Sequence, residues 1–517
     1  MILMALFSGM TMGTVAAQPP ATPSAATPTA PVASPSGASG GEAAAKTDAV
    51  RASWFKIVID PEVRGEAFSG RVYVVLSKGE RREPRLSLGD WFGKTQFIAM
   101  DVKNVKAGEA IDLANATLGW PMAPRELVAG EYTAQAIARV SPDSASPGKG
   151  GGDLVSVPVK VAYERPSGTG GPGAVELKLV RAIKEREFKE SERIKLVEVP
   201  SKLLSEFSGR PRSIRAAVVL PTEPAKEGEA PGPVVYWIGG FGGSHHTAAM
   251  VPSLLGSAGS RITVIVPDPT CFRGHSVFAD SANNGPWGRA LVEELGPVAE
   301  AKYGGVRPME RRAVSGMSSG GWSSLWLQVT YPDYFGSCWS HCPDPVDFRD
   351  FQRINLYQTG ENMYKTAAGE RRPIARNGDT PSLWVDDFVA QETAMGPGGQ
   401  IHSFEAVFSP RGADGEPRPM FDRKTGAVDL ETAKAWETYD IRLVLERNWA
   451  TLGPKLKGKI HVFAGGMDTF FLEGAAKLLK ESLAKLGSDA DVVIVEGMPH
   501  SVHRPGVKAM VEKLMMK

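Results

Sequence analysis

Between residues 54 and 163 apolar side chains recur at every second position in short runs, such as Phe55, Ile57 and Ile59, then Val72, Val74 and Leu76, with Gly, Pro and Asn between them. A period of two sends alternate side chains to one face, so the runs predict half-buried strands and a small all-β sandwich over 51–165. Its last strands are expected at 132–140 and 155–161. A Gly-rich break follows over 168–173, after which short apolar runs alternate with stretches of helical period long enough to be crossovers between parallel strands. Strands are expected at 175–180, 194–199, 214–220, 234–238, 262–266, 313–315, 336–340, 460–463 and 492–495, with helices at 287–301, 321–330 and 470–486. This rhythm predicts an α/β unit over 174–517 with a mainly parallel central sheet. From 344 to about 453 the rhythm gives way to polar, Gly- and Pro-rich sequence with aromatic islands, too long for an ordinary connection and read as an insertion that roofs the site.

The ends and the composition narrow the picture. Residues 1–17 are apolar and small and close on Val15, Ala16 and Ala17, the small-residue pattern of a signal-peptide cleavage site, so export to a periplasmic or extracellular location is expected. No Lys or Arg precedes the apolar run, which leaves room for a start upstream of Met1. Residues 18–50 are mostly Pro, Ala, Ser, Thr and Gly, a composition that cannot offset chain entropy by burial, and read as a disordered linker. The net charge of +1 provides no field to concentrate nucleic acid or an anionic membrane, and no other segment is apolar enough to span one. Only Cys271, Cys338 and Cys342 are present, too few for a disulfide scaffold and not spaced as a zinc site; neither a metal nor an organic cofactor is implied.

Gly316-Met317-Ser318-Ser319-Gly320 has the GxSxG pattern in which a Ser sits at the apex of a sharp strand-to-helix turn. A second match, Gly37-Ala38-Ser39-Gly40-Gly41, lies in the linker without a flanking strand or helix. Ser318 follows the apolar Ala313-Val314 and precedes the helical stretch 322–329, so it is the candidate nucleophile; a Gly-rich helix cap is the bland alternative. A Ser hydroxyl needs a base, and the base needs a carboxylate to hold one tautomer. His500 follows the last expected strand closely and is preferred to His503. Asp468, in Gly465-Gly466-Met467-Asp468-Thr469 just past the strand at 460–463, is the candidate acid, with Asp344 the runner-up. For an oxyanion, the amide of Ser319 and one from Gly239-Gly240-Phe241-Gly242-Gly243 are the expected donors, Phe241 before Gly240. That Gly-rich loop lacks the spacing and the Lys of a phosphate loop. His245 and His246 follow it and are placed at the pocket or, equally, at the start of a helix; the insertion aromatics Tyr357, Tyr364, Trp384 and Phe388 form either an aromatic pocket or a local core.

The segments VVYWIGGFGG, AVSGMSSGGWSSLWLQVTYPDYFGSCWSHCPDPVDF and HVFAGGMDTFFLEGA followed by VEGMPHS resemble the putative-esterase branch of the α/β hydrolases, which includes esterase D and feruloyl-esterase-like enzymes. The resemblance runs from about residue 175 to the C-terminus and implies an α/β-hydrolase fold, triad roles for Ser318, Asp468 and His500, and a place for Trp287 before the helix that precedes the nucleophile strand. The chain departs from many relatives in having Gly239 where a His often precedes the oxyanion Gly, and in its long insertion. The expected activity is hydrolysis of a small-molecule ester or an esterified glycan, with His245, Trp287 and Asp344 around the substrate. A serine peptidase of the same fold, or a secreted binding protein on an inert hydrolase scaffold, are the alternatives.

Overall fold

The computed structural model describes residues 49–79, 82–166 and 172–516. The expected leader over 1–17, nearly all of the expected linker and most of the Gly-rich break lie outside the described residues. The period-two runs at the N-terminal end form a ten-stranded sheet that folds over on itself. The strand Gly130–Ala138 makes the fold possible: one edge pairs along Phe68–Ser77, while the other pairs first with Val159–Tyr163 and then with Leu154–Ser156. The two leaves enclose one core, in which Val72, Val74 and Leu76 meet Phe55, Ile57 and Ile59.

The strand Ala174–Ala182, expected to open the α/β unit, instead completes this first sheet. It runs parallel to Trp54–Ile59 and antiparallel to Leu154–Ser156. Its residues explain the difference, because buried Val175, Leu177 and Leu179 alternate with exposed Glu176, Lys178 and Val180. That is the pattern of a sheet wet on one face, whereas a central parallel strand is apolar on both.

The second sheet has eight strands, β1 (Ile194–Pro200), β2 (Ser213–Val219), β3 (Val234–Ile238), β4 (Thr263–Pro267), β5 (Arg312–Ser318), β6 (Ser337–Pro343), β7 (Ile460–Gly465) and β8 (Asp491–Val495), in the order β1-β2-β4-β3-β5-β6-β7-β8. β1, β2 and β4 pair antiparallel and all later neighbours are parallel. β3 and β4 are buried along their whole length, as expected for strands covered on both faces by helices. At the N-terminal end of β5 the fully buried Glu300 carboxylate accepts from Arg312 Nε at 2.7 Å, from the Tyr236 hydroxyl at 2.7 Å and from the Arg307 amide at 2.8 Å. A buried charge satisfied on every side stiffens the strand that carries the elbow. The segment 344–453 contains a hairpin (Pro373–Asn377 with Thr380–Trp384) and the helices Val385–Met395, Gln400–Phe408 and Leu430–Trp436, while Ile441–Leu456 leads back to β7. Among the described residues no helix is long and apolar enough to cross a membrane, and Cys271, Cys338 and Cys342 are free and buried.

The sandwich is docked rather than tethered. Tyr73 and Val75 on its outer face, with Phe97 and Trp120, pack on Ala394 and Met395 at the end of the insertion helix Val385–Met395. The Tyr73 hydroxyl donates to the Met395 carbonyl at 2.7 Å, and Gln391 Nε2 donates to the Asp90 carbonyl at 2.9 Å. The buried Arg139 donates to the carbonyls of Pro397, of Ser144 at 2.8 Å and of Phe272 at 2.8 Å, and lies over the Phe272 ring. Arg139→Ala strands those carbonyls without a donor, and hydrogen bonds to charged groups are worth roughly 1.5–3 kcal/mol each. The variant is expected to lose about 2–4 kcal/mol in urea unfolding; a loss below about 0.5 kcal/mol would show that the docking does not depend on it.

Candidate active site

The turn after β5 is built by exclusion. Ser318 ends the strand with φ +62° and ψ −127°, and the helix Ser319–Thr330 begins at the next residue. This backbone state is sparsely populated by any residue with a side chain and is kept only where the surroundings over-determine it. Here a Cβ on Gly316 would lie 2.6 Å from the Ile238 carbonyl, and one on Gly320 would overlap the same oxygen and lie 2.7 Å from the Gly239 carbonyl. The two glycines of the motif therefore let β3 and the helix close on each other, and the turn between them presents Ser318 at the C-terminal edge of the sheet.

The acid and the imidazole reach that edge from the next two loops, which are tied by their backbones. Gly466 N–H donates to the Val495 carbonyl at 2.7 Å and Met467 N–H to the Met498 carbonyl at 3.0 Å. This brings Asp468, fully buried, to His500, where Asp468 Oδ2 lies 2.8 Å from His500 Nδ1 while Oδ1 accepts the Phe470 amide at 2.8 Å. Burial disfavours the charged imidazole, but the Asp468 carboxylate outweighs it and holds His500 well above its usual range. His503 is elsewhere: its Nδ1 accepts the Gly506 amide at 3.1 Å as the cap of the helix Arg504–Met515, and its ring stacks on Phe463. Cys342, Asp468 and His500 offer ligand atoms within 4.8 Å of one another. Within that group His500 Nδ1 and Asp468 Oδ2 are already paired with each other.

Asp344, directly after β6, lies against Ser318. Its Oδ1 accepts from Ser318 Oγ at 3.4 Å, and its Oδ2 accepts from Ser319 Oγ at 2.6 Å and from Gln400 Nε2 at 3.3 Å. Burial pushes this carboxyl up to about 6, against the pull of the Ser319 hydroxyl and the His500 charge. Across from it, Gly240 approaches so closely that a Cβ there would lie 3.2 Å from Ser318 Cβ, and the next residue, Phe241, stacks on Trp91. The loop is held by His275, which the sequence did not single out. The Val277 amide donates to His275 Nδ1 at 3.0 Å, which leaves the proton on Nε2 to donate to the Gly239 carbonyl at 2.9 Å. Burial drives the His275 pKa down to about 4, so this strut is neutral at ordinary pH.

A cavity of about 40 Å³ adjoins Ser318, with Asp344 and Gln400 as polar walls and Trp91, Phe388, Phe404 and Phe470 among the apolar ones. His245 and Trp287, expected near the substrate, do not line it. His245 Nδ1 lies 2.8 Å from Asp268 Oδ2 and its ring stacks on Phe188 and against His246, because the Ser244-capped turn directs it to the end of β4. Trp287 is buried in the main core, where its indole donates to the Asn284 carbonyl at 3.0 Å. Of the four insertion aromatics only Phe388 reaches the cavity: the Tyr357 and Tyr364 hydroxyls donate to Asp440 and to the Arg423 carbonyl, and Trp384 lies under Arg371. Trp91 comes from the sandwich, whose alternation gives no hint that one loop residue reaches across to another domain.

A family described as putative esterase matches residues 209–498, more than half of the chain and all of the segments that carry Ser318, Asp468 and all but the final turn to His500. No curated protein matches the sequence. Among solved structures, an S-formylglutathione hydrolase from Agrobacterium tumefaciens is 15% identical with a TM-score of 0.37, over 62% of this chain and 93% of that one. An S-formylglutathione hydrolase from Staphylococcus aureus is 12% identical with a TM-score of 0.37, over 63% and 99%. A structure titled as a putative dipeptidyl aminopeptidase IV from Bacteroides ovatus is 13% identical with a TM-score of 0.39, over 82% of this chain and 55% of that one.

The Asp344 carboxyl gives the site a pH signature. Its folded pKa of about 6 stands above the usual carboxylate value, so the native state is penalised as the group ionises: the penalty is absent below about pH 4 and complete above about pH 7. Asp344→Asn cannot ionise. Between pH 4 and pH 8 its stability relative to wild type should therefore shift in the variant's favour by roughly 2–3 kcal/mol, read from urea unfolding at the two pH values. An unchanged difference would mean that the carboxyl titrates normally.

Proposed function

Because the chain belongs to the putative-esterase family, and is a hydrolase acting on esters, we propose that it cleaves a carboxylic ester through an acyl-enzyme on Ser318, with His500 as general base and Asp468 as its orienting carboxylate. The observation that carries this reading is the strained turn that presents Ser318 at the C-terminal edge of the sheet, the edge to which the next two loops bring a buried His500–Asp468 pair. Ser318 Oγ attacks the ester carbonyl carbon as His500 takes the hydroxyl proton, giving a tetrahedral oxyanion; the C–O bond then breaks as the imidazolium returns that proton to the departing alkoxide. Water, deprotonated by the same imidazole, releases the acid and restores the serine. The Ser319 amide, at the first turn of the helix, and an amide of the Gly240–Phe241 segment are the oxyanion donors in this reading, with the dipole of a 12-residue helix behind the first. His275 fixes the loop that carries the second without adding a charge to the site.

In the ground state Ser318 Oγ is turned to Asp344. Proton transfer to His500 requires the hydroxyl to rotate away from that carboxylate, and catalytic hydrogen bonds often tighten only once substrate is bound. The apolar leader over 1–17 supports export of the enzyme to the periplasm or beyond.

Fluorophosphonate labelling followed by peptide mapping tests the assignment. Modification at Ser318 is expected, and Ser318→Ala should abolish both the label and ester turnover at unchanged stability; a label elsewhere, or retained turnover, overturns it. The pH dependence tests the pair. General base action needs neutral His500, whose pKa is raised by Asp468, so kcat/KM should climb as pH rises above 6.5. Asp468→Asn removes that charge, which should move the acid limb to lower pH and cut kcat by about 10⁴-fold. An acid limb that does not move would deny the carboxylate this role.

A further inference from the structure

The sandwich contributes a side chain to the site. Trp91 lines the cavity beside Ser318 and touches each of the other parts of the site: its ring stacks on Phe241 of the oxyanion loop at 5.6 Å, meets Phe388 of the insertion edge-on at 5.0 Å, and meets Phe470 of the acid loop edge-on at 6.0 Å. Phe470 in turn stands edge-on to His500 at 4.9 Å. The backbone that delivers Trp91 is seated on the insertion helix, since the Asp90 carbonyl accepts from Gln391 and a Cβ on Gly89, at φ +80°, would lie 2.9 Å from Met395 Sδ. Two further walls, Phe388 and Phe404, belong to the main core. The indole is thus the one large wall of the cavity that comes from another domain.

The remaining space is small. A cavity of about 150 Å³ accommodates a benzene ring and about 10–15 Å³ a single water, so about 40 Å³ admits a two- or three-carbon group and not a ring. Resting on the acyl-enzyme reading above, we propose that Trp91 of the N-terminal sandwich is the specificity-determining wall of the acyl pocket and confines the enzyme to esters of short acyl groups such as acetyl. The accessory domain is then part of the active site, and not a separate recognition module.

Steady-state kinetics on p-nitrophenyl acetate, butyrate and octanoate, measured for the full-length wild type, Trp91→Ala and Trp91→Phe, test this. A methylene that a pocket cannot hold changes kcat/KM by about 10- to 200-fold. The wild type is expected to favour acetate over octanoate by at least about 10-fold, Trp91→Ala to shrink or invert that ratio by at least about 10-fold, and Trp91→Phe to fall between. Thermal melts report whether each variant is folded; if Trp91→Ala is not, the ordering of wild type and Trp91→Phe decides. A ratio that is unchanged in the folded variants, or a wild type that prefers octanoate, overturns the proposal while leaving the esterase assignment standing. Fluorophosphonate labelling of the same wild-type preparation separates the two, because absence of a label at Ser318 overturns the acyl-enzyme reading itself.

Discussion

The constraint on which the rest of this molecule depends is the contact between the end of β3 and the start of the helix Ser319–Thr330. The carbonyls of Ile238 and Gly239 stand where side chains on residues 316 and 320 would be, so only glycines let the two backbones close. That contact holds Ser318 in a conformation it would otherwise leave, at a typical strain of about 1–3 kcal/mol. It also sets the distance between Ser318 and the Gly240 loop. Much of the nearby structure reads as support for this closure: the buried Glu300 network at the far end of β5 stiffens the strand, and the neutral His275 keeps the Gly239 carbonyl where it is.

Around that fixed point the polar groups are arranged with opposite tendencies. Asp468 holds a proton on His500, while burial keeps Asp344 reluctant to ionise. The histidine's shift is set by its charged partner and the Asp344 carboxyl's by its lack of solvent. The Ser318 hydroxyl has its acceptor in Asp344 at rest, and that carboxyl is also bound by Ser319 and Gln400.

The candidate residues of the α/β unit were legible because their determinants are local. A glycine pattern between an apolar run and a helical one, and a histidine just beyond a final strand, are properties of short segments, and they single out Ser318, Asp468 and His500 from the sequence. The mainly parallel pairing follows the same rhythm of runs. What failed to show was long-range. His245 and Trp287 lie near the right segments in sequence, but a 3₁₀ turn and a core packing decision point them away. Trp91 and His275 act at the site through contacts between distant parts of the chain, and no period or spacing encodes those. The strand Ala174–Ala182 was assigned to the wrong sheet because the Gly-rich break before it looked like a border, although its one-sided alternation already belonged to the sandwich.

That last strand carries a consequence for how the chain is made. It lies between Trp54–Ile59, to which it is parallel, and Leu154–Ser156, to which it is antiparallel, and its Val175, Leu177 and Leu179 fill the sandwich core. A nascent chain emerging from the ribosome therefore cannot close its first domain when residue 165 appears; the core stays open until residue 182 has cleared the exit tunnel. The boundary between the two sheets falls in the short connection at 183–193, after the Gly-rich break and not within it.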